Sequence, residues 1–282
     1  MFGERIAFSN HALRVDSNPR NFIKDIFKVG GEMSVNWNLW HGCTKKSEGC
    51  MHCYVYRMDA RFERDASVVT RTQALNEPIK KNRKGEYKHK SGQVVYTCFT
   101  SDFLLEQADE WRKDAWEIIR QRPDLNFFFI TKRIERFEQC KPEDWGEGWD
   151  NVVVGVTCEN QKRADERLPI FKALPIKHRM IICEPLLENI DLEKYLDDTI
   201  GQVIVGGESG EEARPCDFDW VQNIQQQCKR KNVTFHFKQT GARFKKDGKL
   251  YRIYRKDQFS QARKAGLDFR SKRKVRCKAE CV

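Results

Sequence analysis

The chain has 282 residues, 39% of them hydrophobic and 33% charged, with a formal net charge of +11 from 52 Lys and Arg against 41 Asp and Glu. That is enough apolar material for one large α/β domain, and no apolar run approaches the ~20 residues that cross a bilayer. The opening MFGERIAFSNHALRVDSN breaks its apolar residues with charges, unlike a secretory signal, so a cytoplasmic protein is expected and its 11 cysteines are read as buried or metal-bound.

An extension over residues 1–33 precedes the first expected strand, at residues 34–37. A cysteine-bearing loop and a helix after Cys53 follow, and then a polar, basic stretch over 80–90 (KKNRKGEYKHK). From there β-branched or aromatic runs recur at 94–100 (VVYTCFT), 126–130 (NFFFI), 151–156 (NVVVGV), 179–183 (RMIIC), 202–205 (QVIV) and 233–237 (VTFHF). Continuous apolar runs of this length suit strands buried on both faces of a parallel sheet. Amphipathic stretches at 104–121, 132–140, 161–173, 187–196 and 217–231 separate them and predict helices. The alternation predicts an α/β fold, a partial TIM-type parallel barrel of about six or seven βα units over residues 34–241. No Gly-x-Gly-x-x-Gly turn follows any of these strands, which argues against a dinucleotide-binding sheet. Residues 242–282 read as a basic C-terminal appendage with a turn at Gly248 and a helix near 258–265. Solvated basic loops and a nucleic-acid partner both account for its charge.

The strongest chemical signal lies directly after the first strand: WNLWHG-Cys43-TKKSEG-Cys50-MH-Cys53-Y. Gly42 and Gly49 give the loop backbone freedom, and the Cys50-x2-Cys53 spacing places two sulfurs within reach of one metal or cluster edge. Three thiolates on a four-iron cluster leave one iron open, whereas a structural site closes its coordination. A zinc site completed by His41, His52 or a distant cysteine fits the same residues.

In parallel barrels function sits where the strands end. Those ends read Ser101-Asp102, Thr131-Lys132-Arg133, Thr157-Cys158-Glu159-Asn160, Glu184-Pro185, Gly206-Gly207-Glu208-Ser209 and Lys238-Gln239. Lys132, Arg133 and Lys238 suit a carboxylate or phosphate, while Asp102, Glu159, Glu184 and Glu208 suit an amino group or ribose hydroxyls. Gly206 and Gly207 would let a ligand approach the backbone. Asp165, Glu166, Arg167 and Arg214 read as ties between loops. Cys277 and Cys281 form only a lone Cys-x3-Cys.

Taken in order, WNLWHGC, SEGCMHCY, TSDF, FFITKR, VGVTCENQKRADERLP, ICEPLL, IVGGESGEEARP and FHFKQTG resemble the phage-associated gene product 37/68 family. That three-Cys-motif family of unknown function is similar in outline to radical S-adenosylmethionine enzymes such as spore photoproduct lyase. The resemblance covers residues 34–241 and implies a [4Fe-4S] cluster on Cys43, Cys50 and Cys53. It also implies S-adenosyl-L-methionine on the open iron, held among Ser101, Asp102, Lys132, Glu159, Glu184 and Glu208. An electron from a donor protein would pass through the cluster and yield a 5′-deoxyadenosyl radical that takes hydrogen from a substrate, with nucleic acid or a nucleotide as the candidate. Those enzymes carry Cys-x3-Cys-x2-Cys with an aromatic residue before the third cysteine. Here the first gap is six residues and that position is His52. Their Gly-Gly-Glu motif follows an early strand, where this chain has Ser101-Asp102. The alternative is a non-catalytic, zinc-stabilised protein that binds nucleic acid or a partner.

Overall fold

The computed structural model describes residues 34–272. The extension over 1–33 and the Cys277 and Cys281 pair lie outside the described residues. In chain order the elements begin with β1 (Ser34–Trp37), β2 (Trp40–His41), α1 (Tyr54–Ala60), β3 (Thr70–Arg71), β4 (Val94–Thr97) and α2 (Asp109–Gln121). The central units are β5 (Asn126–Thr131), α3 (Phe137–Cys140), β6 (Val152–Thr157), α4 (Gln161–Ala173), β7 (His178–Cys183) and β8 (Ile200–Gly206). The chain closes with β9 (Cys216–Asp217), α5 (Phe218–Arg230), β10 (Thr234–Gln239), β11 (Arg243–Lys246), β12 (Lys249–Arg252) and α6 (Arg255–Lys264).

Seven strands form one sheet in the order β1-β4-β5-β6-β7-β8-β10, and every neighbouring pair is parallel. Each new strand adds beside the previous one on the same side, the winding of a barrel rather than of a doubly wound sheet. The result is a curled half-barrel whose edge strands, β1 and β10, do not pair with each other.

Strand residues are buried on both faces, as the apolar runs require. One set, including Trp37, Val95, Phe127, Phe129, Val154, Val156, Ile181 and Val205, merges with the helix faces into the main core. The alternate set, Val94, Phe128, Val153, Met180, Ile182 and Ile204, forms a second cluster with Tyr96, Phe99 and Ile130 packed on it. Gly155 suits this layering, since a Cβ there would crowd Ile182 and Phe128 at 3.1 Å each.

Two expected helices differ. The stretch 132–140 divides into a 3-10 turn, Ile134–Arg136, and the single turn of α3. The stretch 187–196 holds only the 3-10 turn Glu193–Tyr195. Its backbone is satisfied from outside instead: Leu187 N–H donates to Glu159 O at 2.9 Å, Asp191 N–H to Gln161 Oε1 at 2.7 Å and Leu192 N–H to Gln227 Oε1 at 2.6 Å. A segment so tied has no need of its own helical bonds.

The basic segment after β10 is built onto the half-barrel. β11 pairs antiparallel with β12 and parallel with β9, α6 packs against β10, and Phe269 bridges Phe235 on the β10 edge. Among the described residues no helix is long and apolar enough to cross a membrane.

Candidate functional site

The cysteine loop leaves β2 and returns through α1, closed at its base by the β2–β3 pairing. Gly42 has φ of +91°, and a Cβ there would meet Val68 O at 2.4 Å, so no other residue fits the bend. Cys43 N–H donates to Ala66 O at 2.8 Å, and the Tyr56 hydroxyl donates to Cys43 O. Gly49 lets the Glu159 carboxylate come close, since a Cβ there would meet it at a tight 3.1 Å.

The strand ends hold this loop from several sides. Arg133 donates from Nη2 to Thr44 O at 2.7 Å and Thr44 Oγ1 at 2.8 Å. Its Nη1 lies 3.1 Å from Asp102 Oδ2 and 3.9 Å from Cys43 Sγ. Asp102 is anchored in turn by Thr131 Oγ1 at 2.7 Å and Lys132 N–H at 2.9 Å. Glu159, fully buried, accepts from Gly49 N–H at 3.2 Å and from the Ser47 hydroxyl, and pairs with Arg167 Nη1 at 2.8 Å. Burial pushes the Glu159 carboxyl up, but Arg167, Lys132 and the Ser47 hydrogen bond together hold it below the ordinary carboxylate value. Arg163 grips the Glu48 side chain with two contacts of 2.9 Å, and these hold the Glu48 carboxyl down at about 2. Arg214 joins Glu48 O at 2.9 Å to the Glu208 carboxylate at 2.6 Å. Ser101 donates its hydroxyl to Gly42 O.

Above the inner apolar cluster lies a cavity of about 400 Å³, lined by Cys43, Cys50 and Cys53 together with the strand-end residues. The sequence-predicted set divides by role. Ser101, Asp102, Glu159 and Glu208 spend their polar atoms fixing the loop directly or through an arginine. Of the six in the set, Ser101, Asp102, Lys132, Glu184 and Glu208 line the cavity and Glu159 does not. Glu184 is paired with Lys238 Nζ at 2.8 Å and accepts from the Gln239 amide. Gly207 lines the cavity and also admits the 240–241 backbone, since a Cβ there would meet Thr240 O at 2.1 Å, while a Cβ on Gly206 would meet Glu184 Oε1 at 2.9 Å. Asp165, Arg167 and Arg214 tie segments together, as read from their positions.

Three wall residues, Arg255, Gln258 and Phe259, come from α6, and nothing in their spacing announced it. Two buried polar atoms on cavity-lining residues, Thr157 Oγ1 and Gln258 Oε1, have no hydrogen-bond partner. Such atoms are costly to bury unless a ligand or an ordered water satisfies them.

The donor set bears on what the loop can hold. His41 is turned to Asp59 at 2.7 Å and does not line the cavity, whereas His52 lines it and lies 3.4 Å from Glu212. A fourth thiol, Cys98, also lines the cavity but is buried, and burial pushes it well above the ordinary thiol value. Burial, followed by the Asp102 carboxylate, pushes the Cys43 thiol up to about 12. Among the described residues no group of three or more His, Cys, Asp or Glu is arranged to hold a metal ion. Zinc draws its sulfurs to ~2.3 Å from one centre, whereas each thiolate of a four-iron cube binds a different iron and the sulfurs stand further apart. Three half-buried thiols around one cavity match, in donor type and number, three corners of a four-iron cube, and a zinc ion would need a fourth ligand beside them.

Residues 32–276 match the family model described as "Protein of unknown function (DUF5131)", and the chain belongs to that family. No curated protein and no solved structure matches it.

Proposed function

We propose that this member of the DUF5131 family is an iron–sulfur enzyme of the radical S-adenosylmethionine type, with Cys43, Cys50 and Cys53 as the cluster ligands. The observation that carries the reading is the loop itself: three thiols of one segment, clamped by Arg133, Glu159, Arg163 and Arg214, face one cavity at the ends of parallel strands. When bound, the cluster supplies an open iron and one electron for reductive cleavage of S-adenosylmethionine.

The chain's own residues would then bind, orient and exclude water. Lys132, at the end of β5, offers a cation to the methionine carboxylate. Glu184 and Lys238, at the ends of β7 and β10, form a charge pair that can open to take an amino or hydroxyl group. Phe99, Ile130 and Ile182 give the cavity an apolar floor on which an adenine ring can rest. Tyr54, adjoining Cys53, lines the wall and is held by its hydroxyl to Phe99 O.

The test is anaerobic reduction of the purified protein with dithionite in the presence of S-adenosylmethionine. Release of methionine and 5′-deoxyadenosine, lost in Cys50→Ala, is expected. A protein that binds zinc and leaves S-adenosylmethionine intact would instead be the non-catalytic binding module.

A further inference from the structure

The charge of this chain is not spread over it. Residues 1–242 carry 37 Lys and Arg and 37 Asp and Glu, so the entire excess of +11 lies in residues 243–282. Within the described part, residues 243–272 hold eleven Lys and Arg against three Asp. Lys245 pairs with Asp217 and Lys246 lies over the Phe218 ring. Lys249, Arg252, Arg255 and Lys256 are exposed and, among the described residues, have no acidic partner within ion-pair distance.

Apolar groups are interleaved with these charges. Tyr251 and Tyr254 are 44% and 68% exposed, and Phe259 is 40% exposed. The half-barrel does not use these rings for its core, and together with the unpaired cations, those of β12 on both of its faces, they form a basic, aromatic segment from β12 into α6.

The segment also has a direction. β11 departs from the mouth end of β10 through Gly241, whose φ of +77° and close approach to Glu208 O fix the turn. At its other end Arg255, Gln258 and Phe259 enter the wall of the cysteine-lined cavity. There Gln258 Oε1 and, on β6, Thr157 Oγ1 are the two buried polar atoms without partners.

We propose that the β11–β12 hairpin and the first turns of α6 bind a single-stranded nucleic acid and lead it to the cavity, so that the substrate is a nucleotide within a strand. The inference rests on the reading of the cavity as the reaction site and names its substrate class. Unpaired cations neutralise phosphates and release counterions, and exposed rings stack on bases whatever their sequence. A duplex keeps its base faces hidden from Tyr251, Tyr254 and Phe259, so a single strand is the favoured form.

The experiment is fluorescence anisotropy with fluorescein-labelled oligothymidylate and oligouridylate of about 20 nucleotides, a duplex of the same length, and phosphatidylserine vesicles as a control. Saturable binding to a single strand, at least about tenfold tighter than to the duplex, is expected. Y251A/Y254A should weaken it by about tenfold or more at all salt concentrations. K249Q/R252Q should weaken it at low salt and flatten the logarithmic salt dependence by about 1.4. All four side chains are exposed, and circular dichroism checks that the variants fold. Absence of saturable strand binding, vesicle binding alone, or variants that bind like the wild type would overturn the proposal. Iron and sulfide are measured on the same samples. Iron without strand binding overturns this inference alone, whereas strand binding without iron supports the strand-binding surface but overturns the cluster reading and with it the strand's role as substrate.

Discussion

Replacing Glu159 by Ala removes the fully buried carboxylate that joins the Ser47–Gly49 turn of the cysteine loop to the barrel core. The wild-type side chain is fully buried, with Oε2 2.8 Å from Arg167 Nη1 and Oε1 3.2 Å from Gly49 N. In Glu159→Ala the Arg167 guanidinium, itself buried, keeps only its contact with Thr157 O at 2.7 Å. Leaving one member of a buried ion pair unpaired costs ~3–5 kcal/mol, a fall in melting temperature of ~10 °C for a chain of this size. The assay is thermal melting together with iron content after anaerobic purification. Glu159→Ala should melt early and load little iron, because Ser47 and Gly49 lose their anchor. E159Q/R167M, which keeps an acceptor for Gly49 and removes the stranded cation, should recover most of both. The wild-type carboxyl is held below its ordinary value of 4.5, so its contribution is complete above that pH and is lost as the pH falls through the lower folded value. Glu159→Ala should therefore show a flatter acid limb. If Glu159→Ala melts within ~3 °C of the wild type and loads iron normally, the positioning argument fails.

Three further outcomes follow from the same site. Cys50→Ala should lose the iron while keeping the circular dichroism of the wild type, whereas Cys98→Ala should keep it. Metal loss in both variants would mark a closed four-thiolate site. Thr157→Val removes a buried hydroxyl that has no protein partner, so melting temperature should hold or rise by an amount worth ~1 kcal/mol. The same variant should bind S-adenosylmethionine more weakly in equilibrium dialysis; unchanged affinity would take Thr157 out of the ligand's reach. Glu184→Ala should retain iron but lose about tenfold or more in S-adenosylmethionine affinity, and full affinity would leave the Glu184–Lys238 pair a structural tie.

The architecture was legible because buried parallel strands are nearly continuous apolar runs, and NFFFI, NVVVGV and RMIIC each became a strand of the sheet. The crossover at 187–196 differs from the expected helix because Ile190, Leu192 and Leu196 reach the core from an irregular segment, whose backbone bonds go to Gln161 and Gln227 on neighbouring helices. Chain spacing could not reveal such distant partners. The polar character of the strand ends was also readable, but not their division of labour. Glu159 and Lys132 look alike as polar residues at strand ends, and only packing tells that one supports the Ser47–Gly49 turn while the other lines the cavity. Arg255, Gln258 and Phe259 escaped notice because their segment was set apart by its charge, and a folded sheet edge was needed to bring it back to the mouth.

Anaerobic purification followed by iron, acid-labile sulfide and zinc analysis tests the central claim most directly. The account predicts about four iron and four sulfide per chain, held by Cys43, Cys50 and Cys53. A colourless protein with stoichiometric zinc and no sulfide would contradict it.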